Sequence, residues 1–215
     1  MKLSKIYFWG IALIALGLLS SAMLKEEQKS LSIGDSAPLA DQQLKNIDEK
    51  TRSLNDSKLE NGLVVVFSCN TCPFVVGSEN FAGWELQYNQ LAKSASTFKL
   101  GFVLINSNEA KRENEDSFEA MQLRAKEKQY SMPYLLDNNH VLADAFGAKT
   151  TPHVYVFDKD MKLVYQGAID NTVNGKRKKD DLYLMTTMNQ LASGTEITTN
   201  TTPPRGCSIK RITKN

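Results

Sequence analysis

The sequence predicts an α/β domain, a central mixed sheet flanked by helices, with an N-terminal extension and a C-terminal tail. Three observations predict it. Strand-type apolar runs at 64–67, 100–105 and 153–157 alternate with segments whose apolar residues recur at helical spacing. The first run leads into Cys69-Asn70-Thr71-Cys72-Pro73, a dithiol at a strand-to-helix turn. The run 153–157 and one further run, 162–167, flank Asp158-Lys159-Asp160 and read as a β-hairpin. At 215 residues the chain has room for one full core, since domains commonly run about 100 to 200 residues.

The first 24 residues stand apart. A basic start, Lys2 and Lys5, precedes an apolar run from Ile6, and small residues Ser20 and Ala22 close it, the pattern of a secretory signal cut after Ala22. The rival reading is an uncleaved membrane tether over residues 6–24, which matches the roughly 17–25 residues a spanning helix needs. Either way the domain leaves the cytoplasm for the periplasm or cell envelope, where a disulfide persists. The formal charge of +2 comes from those two lysines, and the remainder balances at 24 basic against 24 acidic residues. Nothing in that balance points to nucleic acid.

Residues 25–33 read as a polar linker, and the domain as residues 34–195. Gly34-Asp35-Ser36-Ala37-Pro38 is turn chemistry. The polar stretch 41–61, with isolated Leu44, Ile47, Leu54 and Leu59, predicts a short hairpin and a helical turn. After Pro73, the residues Phe74, Phe81, Trp84, Tyr88 and Leu91 fall on one face and predict a helix to about Ser94, weakened by Gly77 and Gly83. The charged segment 109–130, with Phe118, Met121 and Ala125 at helical spacing, predicts a solvated surface helix. Residues 133–137 predict a short strand and 141–146 a short helix stopped at Gly147. Leu182, Met185, Met188, Leu191 and Ala192 form the last helical face, ending at Gly194. Residues 196–215 form a tail that turns at Pro203-Pro204-Arg205-Gly206 into Cys207. His140 reads as a surface residue, and Lys176-Arg177-Lys178-Lys179 as a solvated loop.

The dithiol carries the chemistry. Unpaired N–H groups at a helix N-terminus favour a thiolate over a thiol, and Pro73 suits the first helical turn because its missing N–H has no partner to lose. Alternatives are a purely structural disulfide or half of a zinc site, but Cys207, His140 and His153 show no ligand-like spacing to complete the latter.

The order strand, Cys-x-x-Cys, helix, strand, helix, Thr-Pro, hairpin, helix resembles the thioredoxin-like redoxins, the group holding the TlpA-type extracytoplasmic thiol-disulfide proteins and the alkyl hydroperoxide reductase and thiol-specific antioxidant domain. The resemblance covers about residues 32–195 and rests on Gly34-Asp35-Ser36-Ala37-Pro38, the dithiol, Thr151-Pro152 and Gly167. It implies that Cys69 is an exposed nucleophile, that Cys72 is the buried partner resolving the mixed disulfide, and that Pro152 is a cis-proline facing them. Thr151 and Pro152, with Asn70 and Thr71, would hold a docked substrate. It implies no cofactor, protein or low-molecular-weight thiol and disulfide substrates, and a separate redox partner that regenerates the dithiol. Ser68 stands where thioredoxin often has Trp. The peroxiredoxin pattern places Thr three residues before its reactive cysteine and Pro four before that. Val66 and Gly62 occupy those places before Cys69, and Cys69 and Val65 before Cys72.

Two residues stay open. Cys207 is either a resolving or relay thiol or a residue that packs the tail onto the domain. His153, next to the expected cis-proline, either tunes the sulfurs or is structural. The function expected is extracytoplasmic thiol-disulfide exchange. The alternatives are a copper chaperone using Cys69 and Cys72, with or without His153, and a thiol peroxidase with an antioxidant role.

Overall fold

A computed structural model describes residues 30–173, 176–177 and 181–213. The expected signal or anchor therefore lies outside the described residues, as do Lys178 and Lys179 of the basic run. Among the described residues no helix is long and apolar enough to cross a membrane.

The chain enters through β1 (Leu44–Asn46) and β2 (Thr51–Arg52), the expected hairpin, and α1 (Leu54–Ser57). Ser53 caps α1, its hydroxyl accepting the Asp56 N–H while the Asp56 carboxylate accepts the Ser53 N–H. Then follow β3 (Gly62–Ser68), α2 (Pro73–Val76), α3 (Tyr88–Thr97), β4 (Leu100–Asn106), α4 (Phe118–Glu127), β5 (Tyr134–Leu136) and α5 (Val141–Phe146). Next come β6 (Thr150–Thr151), the hairpin β7 (His153–Phe157) and β8 (Leu163–Gly167), the ribbon β9 (Thr172–Val173) and β10 (Lys176–Arg177), α6 (Tyr183–Ser193) and β11 (Cys207–Ser208).

Seven strands form one mixed sheet in the order β2-β1-β5-β4-β3-β7-β8, with β3, β4 and β5 parallel and β7 antiparallel to β3. Every residue of β3 and β4 is buried, as expected of parallel strands covered on both faces. Alternation along β3 sends Val64 and Val66 to one face, against α3, α4 and α6, and Leu63, Val65 and Phe67 to the other, against α1 and α5. Each such apolar side chain contributes about 1.5–3 kcal/mol on burial, which makes β3 the rigid support of the turn at its C-terminal end.

Four expectations are corrected. The helix expected from Phe74 to Ser94 is interrupted after one turn: Gly77 and Gly83 adopt φ of 100° and 80°, a backbone that side-chain-bearing residues rarely hold. A tight Ser78–Phe81 turn between them brings Phe74, Phe81 and Trp84 together, with Phe74 stacked on Trp84 and Phe81 edge-on to it. The surface helix expected over 109–130 is confined to α4, capped by Ser117, and the segment before it, exposed at Glu113, Asn114 and Glu115, turns one residue, Asp116, fully into the interior. Residues 30–33 do not act as a loose tether: Leu31 packs on the second core face and bonds the Gln166 side chain through its carbonyl. His140 is buried rather than on the surface, held between Asp144 (2.8 Å) and the Ile212 carbonyl (3.3 Å).

Candidate active site

Strand β3 ends at Ser68, so Cys69 leaves the sheet edge directly, and Cys72 is the N-cap residue of α2 with Pro73 at the first helical position. Both cysteines are reduced, and both are buried, at 1% and 4% exposure. The expected contrast between an exposed Cys69 and a buried Cys72 is thus corrected: the turn, Thr151 and the tail together cover the two sulfurs.

The sulfurs are held by directed contacts. The Cys72 N–H donates to Cys69 Sγ at 3.3 Å, and the Thr151 hydroxyl lies 3.1 Å from the same atom. The Cys72 thiol donates to the Thr151 carbonyl at 3.1 Å. The Thr151–Pro152 peptide is cis, and both residues are buried. One residue thereby reaches both sulfurs, the first through its hydroxyl and the second through its carbonyl.

The two thiols share charge unequally. The hydrogen bond the Cys69 thiol donates to the Cys72 sulfur, then burial, and also the Asp116 charge push the Cys69 thiol well above its usual range. The same hydrogen bond, with further donors from the Cys207 thiol and backbone, lowers Cys72 to about 5 despite burial. The dithiol therefore loses one proton readily and holds the other. Moving the retained proton from Cys69 to Cys72 places a thiolate on Cys69, which then accepts from the Cys72 N–H and the Thr151 hydroxyl. The Thr151 carbonyl is already positioned to accept from the Cys72 thiol.

Behind Cys69 lies a buried polar cluster that sequence reasoning missed. Asp116 accepts from the Asn70 N–H (2.8 Å), the Asn106 amide (2.7 Å) and the Asn108 amide (2.9 Å), and its carbonyl accepts from Arg112 (2.6 Å). Asn70 also donates to the Glu115 carbonyl and accepts from the Tyr134 hydroxyl. Asn70 is thus a tether that fixes the turn, while Thr71 beside it is exposed. The signal available in the sequence was Asn106-Ser107-Asn108, three polar residues that end an apolar run of buried-strand type.

His153 is not brought to the sulfurs. It shares its sheet face with Tyr155, and its Nδ1 accepts the Lys149 N–H with the Tyr155 hydroxyl 3.3 Å away, leaving the ring proton on Nε2. Burial, and secondarily Lys149, lowers its pKa to about 3. Among the described residues no group of three His, Cys, Asp or Glu side chains is arranged to hold a metal ion, so a copper site drawing on His153 does not fit this arrangement.

Cys207 does reach the site. Strand β11 pairs antiparallel with β6, with Cys207 opposite Thr151, and the Cys207 N–H donates to Cys72 Sγ at 3.3 Å. The backbone edge of Thr151, expected to receive a substrate, is occupied in this structure by the chain's own tail. A surface concavity of about 750 Å³ lined by Arg52, Asn89, Lys93 and Pro133 includes none of the three cysteines.

Comparison with known proteins identifies the family. The family model described as AhpC/TSA family matches residues 33–166. An uncharacterized conserved protein from Geobacillus kaustophilus is 33% identical, covering 86% of this chain and 94% of that one, with a TM-score of 0.76. A hypothetical protein from Sinorhizobium meliloti is 30% identical, with coverage of 86% and 98% and a TM-score of 0.73. PrxQ of Xylella fastidiosa, 14% identical over 77% of this chain and 98% of its own with a TM-score of 0.54, shares the fold. No curated protein matches the chain. With its thioredoxin-like fold and its dithiol at the end of the central strand, the chain belongs to the AhpC/TSA family of thiol redox proteins.

Proposed function

We propose that the chain is an extracytoplasmic thiol-disulfide oxidoreductase, exchanging disulfides between its Cys69–Cys72 pair and protein or low-molecular-weight thiol substrates. The observation that carries this reading is the single Thr151 residue serving both sulfurs, with the Cys72 N–H aimed at Cys69 Sγ. The Cys69 thiolate attacks one sulfur of a substrate disulfide and the other substrate sulfur leaves as a thiolate. Cys72 then loses its proton and attacks Cys69, releasing the second substrate thiolate and closing the Cys69–Cys72 disulfide. The protein gives up two electrons, which a separate dithiol partner restores. Placement outside the cytoplasm is supported by the basic start and apolar run of the leading segment.

Family membership also favours a second reading, reduction of peroxide by Cys69. Against it stand Val66 and Gly62, which replace the Thr and Pro of the peroxiredoxin pattern. The two readings separate when the reduced protein is mixed, in parallel, with a small disulfide and with hydrogen peroxide. Disulfide reduction that disappears in Cys69→Ser, with peroxide consumed no faster than by a free thiol, supports exchange. Rapid peroxide consumption lost in Cys69→Ser overturns it in favour of a peroxidase.

A further inference from the structure

Cys207 sits on a strap built to hold it against the dithiol. Around it, Gly206 lies so close to β6 that an added Cβ would stand 2.2 Å from the Thr151 carbonyl oxygen. Beyond it, Ile209 is buried in the second core face, the Ile209 N–H bonds the Lys149 carbonyl at 3.1 Å, and the Lys210 backbone bonds Asn108 and Ala110, each at 2.9 Å. Arg211 closes the strap onto Asp144 (2.8 Å) and the Ala148 carbonyl (2.6 Å). Packing of the tail explains the buried Ile209. It does not explain why the half-buried residue at this position, opposite Thr151 and with its backbone against Cys72 Sγ, is a cysteine.

We propose that Cys207 is the third redox thiol of the site, taking oxidation from the Cys69–Cys72 disulfide into a Cys72–Cys207 disulfide that meets the regenerating dithiol at the surface. The proposal rests on the dithiol reading given above. The Cys207 thiolate attacks Cys72 Sγ, the Cys69–Cys72 bond breaks, and Cys69 leaves as a thiolate that takes up the proton Cys207 gave up. One disulfide is exchanged for another, so no oxidant or reductant is consumed. Exposure gives the step its purpose, because Cys69 and Cys72 are 1% and 4% exposed while Cys207 is only half-buried. Electrostatics gives it an order. Burial, and then the neighbouring Cys72 sulfur, push the Cys207 thiol up to about 11, so it stays protonated while Cys72 carries charge. Oxidation of Cys72 removes that second cause and leaves burial, so Cys207 ionises more readily than in the reduced protein.

The test uses the full chain and its tryptic peptides, since Cys69 and Cys72 share the peptide 59–93 while Cys207 lies alone in 206–210. Wild type is oxidised with glutathione disulfide, freed of oxidant, held for increasing times, acid-quenched, alkylated and digested. The expected result is an internal loop in 59–93 at first, then the bridged pair 59–93/206–210 appearing without added oxidant. In Cys69→Ser, the same oxidation yields the bridged pair directly. A wild type that keeps only the internal loop, together with a Cys69→Ser protein that carries glutathione on Cys72 and an alkylated Cys207, overturns the relay and leaves the dithiol reading intact. A wild type in which Cys69 and Cys72 never bridge removes the dithiol reading and the relay with it.

Discussion

Replacing Thr151 by valine removes the hydroxyl 3.1 Å from Cys69 Sγ and leaves the backbone that serves Cys72 and pairs with β11. A hydrogen bond to a charged acceptor contributes about 1.5–3 kcal/mol. Because the hydroxyl also contacts the neutral thiol, we take about 1.4 kcal/mol as the preference for the thiolate, which is about one pKa unit. The Cys69 thiolate fraction then falls roughly tenfold at pH values below its pKa. A more basic thiolate is a better nucleophile, and a Brønsted slope of about 0.4–0.5 restores roughly threefold of that loss. The net expectation is attack on a small aromatic disulfide roughly threefold slower near neutral pH, with the gap narrowing as pH rises. The assay is stopped-flow release of the coloured thiolate in a Cys207→Ser background, so that only the dithiol reacts. Equal rates across the pH range, or a faster variant near neutral pH, would refute the role given to the Thr151 hydroxyl.

Gly206→Ala should lift the strap from β6, because its Cβ meets the Thr151 carbonyl. Alkylation of Cys207 in the reduced protein is expected to speed up, and the yield of the bridged peptide pair in a Cys69→Ser background to fall. Arg124→Met strands the buried Glu85 carboxylate, which Arg124 meets at 2.7 Å and Tyr130 also holds. Loss of one partner of such a pair costs about 3–5 kcal/mol, and Lys128 at 3.7 Å from Glu85 keeps the value at the low end in urea unfolding. His153 is expected to set an acid limb of stability. Its native pKa of about 3 lies below the reference 6.5, so between these values the unfolded chain binds the extra proton. Its contribution is full above about pH 6.5 and is lost by about 1.4 kcal/mol per pH unit as pH falls toward 3. His153→Asn, which keeps an acceptor for the Lys149 N–H, should flatten that slope.

What was legible in the sequence was what short stretches encode. The dithiol after an apolar run, the hairpin around Asp158, and helix stops at Gly147 and Gly194 all appear in the structure where local pattern places them. The break after α2 was only half legible, since Gly77 and Gly83 signalled weakness, while the aromatic period across them continued as in an unbroken helix. The rest of the site depends on contacts across the chain. Asp116 bonds a backbone N–H 46 residues away, and Cys207 bonds a sulfur 135 residues away. Such separations leave no periodicity to read. Asp116 sat in a charged run that looked solvated, and it became buried because three asparagines converge on its oxygens. The odd count of three cysteines flagged Cys207, but only the pairing of β11 with β6 shows which sulfur it meets.

The central claim is that Cys69 and Cys72 form a reversible two-electron couple. The most direct test equilibrates the full chain across glutathione buffers of graded potential, quenches in acid, alkylates, and maps each cysteine by mass spectrometry. We expect the oxidised forms of peptide 59–93, its internal disulfide together with the bridged pair 59–93/206–210, to appear and disappear along one two-electron curve, approached equally from the oxidised and reduced sides. A protein in which Cys69 and Cys72 remain alkylated at every potential, or in which only Cys207 changes state, would contradict it.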